Sequence, residues 1–273
     1  MQHSERASTD SGTIAPNAAA VATARRFYKL LGRTPARAGG ASIVMTRAAP
    51  DVWDANFALP DADADPASLL AAVDAHAAGD WRVIDTDALT APAVETAVAV
   101  AGYEAAITLI EMLAIGLIHE AGLRPAIETV PVVGPEAWAE LERLTRVDME
   151  EGRRTGVVDA DTATGLVADM RARTATCDYR VITLDGAAVG YGMTLRCPGD
   201  LALIENLFVL PDYRGRGIMS AFIASEVDRH IAAGCTGMFL DAHAHDTPRH
   251  LYAKLGFRPV GEWRRWVRNA AVA

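Results

Sequence analysis

The sequence predicts an α/β chain in two halves, and three observations carry that prediction. Between residues 23 and 118 short helical and extended signals alternate. Between 127 and 268 two helices precede an antiparallel meander, after which the alternation resumes. At the centre of the meander stands Asp185-Gly186, the strongest two-residue hairpin signal.

In the first half, 26–31 reads as a short helix, 41–46 as a strand, 66–77 as a helix opened by Pro66, and 81–85 as a strand. A helix at 91–101 and a strand at 107–113 follow. Residues 1–22 mix Ser, Thr, Ala, Asp and Gly without an apolar period and read as a tail that adds little to a core. Pro125 and Pro131 mark the crossing into the second half, whose first strand is 127–133. The spacing of Trp138, Leu141, Leu144 and Val147 predicts a helix over 135–151, and an aspartate cap opens another over 161–173. Strands 179–184 and 187–195 flank the hairpin, and 201–209 runs up to Pro211. A glycine-rich turn then leads into a helix at 218–233, a strand at 237–242, a helix at 248–255 and a last strand at 262–267. The expected division is a tail at 1–22, an α/β unit at 23–122 and the main unit at 123–273.

The 273 residues carry 26 Lys+Arg against 35 Asp+Glu, a net charge of −9, with 51% hydrophobic residues. That composition supports buried cores and excludes disorder as the main state. The acidic balance argues against a nucleic-acid partner, which demands a basic face. Three widely spaced cysteines, Cys177, Cys197 and Cys235, form neither a disulfide framework nor a CxxC pair, which points to a reducing cytoplasm. The longest apolar stretch, 105–117, is broken by Glu111, so no membrane span is expected, and the N-terminus does not read as a secretory signal. A monomer or homodimer is expected.

One segment carries chemistry. From Leu203 to Met219 a strand, a glycine loop (Arg214-Gly215-Arg216-Gly217) and a helix start follow in immediate succession. Glycines let the backbone turn its N–H groups outward, the helix leaves its first N–H groups unpaired, and the macrodipole adds positive character, so the segment suits a diphosphate. It is neither a Walker loop, since no GK[ST] follows, nor a G-x-G-x-x-G fingerprint.

This segment resembles the pyrophosphate loop Arg/Gln-x-x-Gly-x-Gly/Ala of the GNAT superfamily of acyl-CoA-dependent N-acyltransferases, departing from it only at Met219. The hairpin from Leu184 to Gly190 and the block Leu251-Tyr252-Ala253-Lys254-Leu255-Gly256-Phe257 resemble two further motifs of that family, in its order and spacing. The resemblance covers 127–268 and implies a mixed sheet flanked by helices, with acetyl-CoA as co-substrate and no metal. It assigns cofactor contacts to Leu207, Phe208, Val209, Arg214, Gly215, Arg216, Gly217, Ile218, Met219 and Ser220, with Asp246 and Arg249 further along. The Met219 side chain either crowds the diphosphate or points into the core.

Tyr252 aligns with the family tyrosine near the CoA sulfur, as proton donor to the thiolate or as a packed ring that shapes the site. Glu205, placed by strand alternation on one face with Leu203, Leu207 and Val209, is the base candidate; a substrate-ammonium contact and a structural carboxylate are its alternatives. Asp241, His243 and His245 alternate as metal ligands would, but the strand is expected to end near Ala242, and loop histidines near the acceptor are preferred.

The first half lacks the glycine loop, yet Gly102-Tyr103 before its last strand echoes Gly256-Phe257. Together with Trp53, Asp54, Asn56 and Phe57 it resembles the degenerate copy of a tandem GNAT protein, the alternative being an unrelated cap with Trp53 and Phe57 as core aromatics. Residues 51–123 hold thirteen acidic residues and one arginine, net −12, whereas 213–273 hold nine basic and five acidic residues, net +4. The expected reading is an N-acetyltransferase acting on a small, cationic primary amine, steered by that acidic surface. The rival is a non-catalytic acyl-CoA-binding sensor or partner-binding module on the same scaffold.

Overall fold

The computed structural model describes residues 17–47, 52–77, 79–118, 125–154, 167, 170–173, 175–244 and 248–270. The first half runs α1 (Ala18–Leu30), β1 (Ala36–Ala38), β2 (Ala41–Val44), β3 (Phe57–Pro60), α2 (Pro66–His76), β4 (Trp81–Thr86), α3 (Pro92–Val100) and β5 (Glu104–Ala114). The second runs β6 (Glu128–Pro131), α4 (Gly134–Arg154), β7 (Asp178–Leu184), β8 (Ala187–Cys197), β9 (Leu201–Val209), α5 (Ile218–Ala232), β10 (Gly237–His243), α6 (Pro248–Lys254) and β11 (Arg258–Asn269). The helix expected over 161–173 falls largely outside the described residues; 167 and 170–173 are helical.

The first helix begins at Ala18, not at 26, and so takes in residues assigned to the tail. Asn17 caps it by accepting from the Ala20 N–H. Val21, Ala24, Arg25 and Tyr28, spaced three and four apart, form its buried face. The polar and small composition before it hid that period.

The eleven strands among the described residues form one mixed sheet, in the order β1-β2-β3-β4-β11-β5-β10-β9-β8-β7-β6. The two halves exchange their last strands: β5 pairs antiparallel with β10, and β11 pairs antiparallel with β4 and β5. Each half therefore completes its sheet with the other's strand.

The two exchanged strands are launched alike. After α3 the N–H of Gly102 bonds to Ala99 and that of Tyr103 to Val98; after α6 the N–H of Gly256 bonds to Ala253 and that of Phe257 to Tyr252. Both glycines are left-handed, at φ 81° and 91°, and Tyr103 and Phe257 are both buried. The echo read from the sequence is a shared helix stop.

Helices α5 and α6 cover one face of the sheet at β5, β9 and β10, burying Ile204, Val209, Met238, Leu240, Phe222 and Tyr252. On the same face α2 and α3 cover Ala58, Ile84 and Trp266. Helices α1 and α4 cover the other face, over Leu201, Leu203, Phe208 and Phe239. Trp53 and Phe57 sit in this framework as core aromatics, Trp53 edge-on to Trp81 at 5.2 Å. Among the described residues no helix is long and apolar enough to cross a membrane.

Candidate active site

β9 and β10 are parallel neighbours for only three pairs, Leu201 with Gly237, Ala202 with Met238, and Leu203 with Phe239. Beyond Leu203 they part into a wedge. Along it 204–209 of β9 has no ladder to β10, which keeps its far-side pairing with β5 as far as His243. The cause lies in β9 itself. Asn206 adopts φ 56°, and the register with β8 slips between Tyr191 and Met193, so β9 carries a bulge there. Backbone groups on such an edge must find partners, which makes the wedge a place for an extended, amide-bearing ligand.

The bulge also corrects the expected facing of β9. Simple alternation put Glu205, Leu207 and Val209 on one side. In the structure Leu203 packs on the α1 and α4 face, whereas Leu207 and Val209 pack on the α5 and α6 face and Phe208 turns to the first. The extra residue reverses the parity after Asn206. Glu205, half-buried, is left on the α1 side, where it meets Arg25.

At the foot of the wedge the loop enters α5 through Gly215 and Gly217, both left-handed at φ 74° and 77°. No side chain caps α5, so its first N–H groups at Ile218, Met219 and Ser220 have no side-chain acceptor. Met219 is partly buried and packs into the core beneath α5. The Arg214 guanidinium is engaged elsewhere: it donates to the Val209 carbonyl at 3.0 Å and to both Glu151 oxygens at 2.8 and 2.6 Å, bracing the loop against α4. Arg216 is exposed and donates to the Asp212 carbonyl. The equivalent helix start in the first half, at α2, is closed by its own carboxylate, since Asp65 accepts from the Ser68 N–H.

Tyr252 is buried in the core that also holds Ile204 and Val209 of β9 and Leu240 and Ala242 of β10, so its ring lies on the α5 and α6 face of the wedge. Arg249 donates to the Ala244 carbonyl at 2.8 Å and lines a cleft of about 550 Å³ with His250, Ile110, Met112 and Glu262, over β5 and β11 beside the wedge. Asp246 and His245 lie outside the described residues, and His243 is exposed at the end of β10. Among the described residues no group of three His, Cys, Asp or Glu side chains is arranged to hold a metal.

On the α1 face, sequence reasoning missed a buried charge cluster. Arg25, 1% exposed, donates to Glu205 at 2.8 Å, contacts Asp241 closely, and has Glu111 at 4.0 Å. Glu111 and Asp241 are direct cross-strand partners. Burial pushes Asp241 up to about 6, against the pull of Arg25, and burial with the Asp241 charge pushes Glu111 up to about 8. The available signal was Glu111, a lone charge inside the longest apolar run: a buried strand does not carry one without a partner.

Part of the expected acidic surface is taken up in ion pairs. Asp54, Asp61, Asp74, Asp85, Asp87 and Glu95 of the first half pair with Arg265, Arg37, Arg268, Arg265, Arg26 and Arg264. Strand exchange brings β11, rich in arginine, against β4, so Asp54, Asp74, Asp85 and Glu95 meet Arg264, Arg265 and Arg268 across the two segments. All three cysteines are buried and unbridged, and burial pushes the Cys197 thiol up to about 12.

Residues 175–259 match the acetyltransferase (GNAT) domain family. The chain carries a GNAT acyltransferase domain. The GNAT likeness in fold extends over both halves. A GCN5-related N-acetyltransferase from Kribbella flavida matches at TM-score 0.66 and 17% identity, over 92% of this chain and 95% of that one. A conserved protein of unknown function from Staphylococcus epidermidis matches at TM-score 0.65 and 11% identity, over 89% and 97%. A tandem GNAT protein from the clavulanic acid biosynthesis pathway matches at TM-score 0.50 and 14% identity, over 70% and 64%. No curated protein matches. The GNAT domain spans the meander, the bulged strand, the wedge, the glycine loop and Tyr252. GNAT acetyltransferases use acetyl-CoA.

Proposed function

We propose that this protein transfers an acetyl group from acetyl-CoA directly to a primary amine of a small cationic molecule, in the cytoplasm. The observation that carries this reading is the arrangement about the wedge: an uncapped helix start and Tyr252 on one face of the sheet, carboxylates on the other, and an unpaired backbone edge between them.

The residues present fit acetyl-CoA, which supplies an acyl group activated as a thioester. The N–H groups at Ile218, Met219 and Ser220 suit a diphosphate, with Gly215 and Gly217 giving the close approach. The open edge at Leu207, Phe208 and Val209 suits the amides of the pantetheine arm and the charge that develops on the carbonyl oxygen. Tyr252 is assigned as proton donor to the leaving sulfur.

A primary amine with a pKa of about 10.4 requires roughly 4 to 5 kcal/mol to become neutral at pH 7. Glu205, on the opposite face and beside Asp241 and Glu111, is assigned to hold the ammonium and take its proton. Local carboxylates, rather than a distant acidic surface, then favour a cationic acceptor. With every cysteine buried, the reading needs no acyl-enzyme, and the free thiols suit a reducing compartment.

The test is calorimetric titration with acetyl-CoA, followed by release of free thiol in the presence of amines. Micromolar binding and amine-dependent thiol release are expected, and Tyr252→Phe should lower kcat by about 10- to 100-fold with the acetyl-CoA Kd unchanged. Binding without turnover would mark a sensor, and folded protein that binds no acyl-CoA would refute the reading.

A further inference from the structure

We propose that Arg25, on α1, is a positioning residue of the acyl-transfer site: it gathers Glu205, Asp241 and Glu111 into one carboxylate cluster that receives the incoming amine. The inference rests on the acetyltransferase reading above and adds to it that the first half of the chain completes the acceptor side of the second.

The four groups come from four separate elements, Arg25 from α1, Glu111 from β5, Glu205 from β9 and Asp241 from β10. Strand exchange makes this meeting geometric, because β5 of the first half is the neighbour that β10 uses on the side away from the wedge. The guanidinium packs on two rings, lying 5.2 Å from the Phe239 ring centroid and 6.0 Å from that of Tyr28. Its planar fork meets two carboxylates at once, Glu205 through Nη1 and Asp241 through Nη2.

Glu205 is 31% exposed while Asp241 is 11% and Glu111 fully buried, so the cluster opens at Glu205. Glu111 keeps its proton until about 8, so Arg25 is one cation against the Glu205 and Asp241 carboxyls, and the group stays short of positive charge. An ammonium entering at Glu205 supplies it. The other groups acting on the cluster are Lys29 and Tyr28 of α1 and Asp87 after β4, with Arg173 and Tyr179 acting on Tyr28 in turn.

The test uses the full-length protein with Arg25→Lys, which keeps the charge but loses the fork, and Arg25→Met, which loses both. Acetyl-CoA calorimetry separates the two readings. A wild-type protein that does not bind overturns the transferase reading and this inference with it, whereas binding within twofold in all three shows the cofactor side intact. With spermidine as probe amine, kcat/KM is expected to fall about 10- to 100-fold in Arg25→Met and less in Arg25→Lys. The acid limb of its pH profile should move up by about one unit, because loss of a neighbouring cation favours the protonated carboxyl. Carbon-13 titration of the Asp241 carboxyl, which Arg25 holds down, reads the same upward shift without an amine. It decides the matter if spermidine is not turned over, with Arg25→Lys as the comparison if Arg25→Met does not fold. An unmoved Asp241 midpoint in a folded variant, or rates and pH profiles within twofold of wild type, overturn the inference and leave the transferase reading standing.

Discussion

Replacing Glu111 by glutamine is expected to stabilise the protein, and to do so more at pH 7 than at pH 5. Glu111 is fully buried, neither of its oxygens has a hydrogen-bond partner, and its nearest cation is Arg25 Nε at 4.0 Å. Gly261 walls it in, since a Cβ there would lie 2.9 Å from Glu111 Oε2. Burial first, and then the Asp241 charge, lift the carboxyl from 4.5 to about 8. The unfolded chain ionises the group near 4.5 while the fold retains its proton until about 8. Stability is therefore fully present below the unfolded value and is lost as the pH rises toward the folded one. At about 1.4 kcal/mol per unit, the carboxyl costs the fold about 1 kcal/mol at pH 5 and about 3 kcal/mol at pH 7. Glutamine keeps the shape and has no proton to lose, so the advantage of the variant should grow by about 2 kcal/mol between the two pH values. For a chain of this size that corresponds to roughly 4 to 8 °C in Tm. Asp241, lifted to about 6, contributes its own loss with rising pH in both proteins. Thermal melts of wild type and Glu111→Gln at pH 5, 6, 7 and 8 read the difference. Parallel Tm-versus-pH curves would show that Glu111 does not titrate between them and refute the reasoning.

Two further outcomes test the frame and the loop. Arg265→Met should destabilise by about 3 to 5 kcal/mol, because it strands a fully buried carboxylate; Asp85 receives both its bonds from Arg265, at 2.8 Å each. An unchanged urea midpoint would count against the exchanged strands being held there. Gly217→Val forces a β-branched residue to φ 77° at the start of α5. It should weaken acetyl-CoA binding tenfold or more while most of the melting temperature survives; calorimetry beside a thermal melt checks both.

Much of the candidate site was legible in the sequence because its signals are local. The glycine loop, the start of α5 and the Leu251 to Phe257 block each follow from neighbouring residues, and the structure gathers them about one wedge. The bulge at Asn206 was not legible. A left-handed residue inside a strand leaves the apolar pattern almost intact, yet it moves Leu207 and Val209 to the opposite face from Glu205. Arg25 escaped for a different reason: it lies 180 residues from Glu205, on a helix whose alanine-rich opening turns read as tail.

What the sequence by itself determined is the chemistry of short range: element types, the hairpin at Asp185-Gly186, and a helix start left uncapped beside two glycines. Turns, caps and periodic faces depend on residues a few positions apart, and those are written consecutively. Only the tertiary structure decided which strand lies beside which. By exchanging β5 and β11 it set arginines against the aspartates of the first half, and it brought Arg25 of α1 against Glu205 and Asp241 beside the wedge. Strand pairing and buried charge matching are long-range energies, and no window of sequence contains both partners.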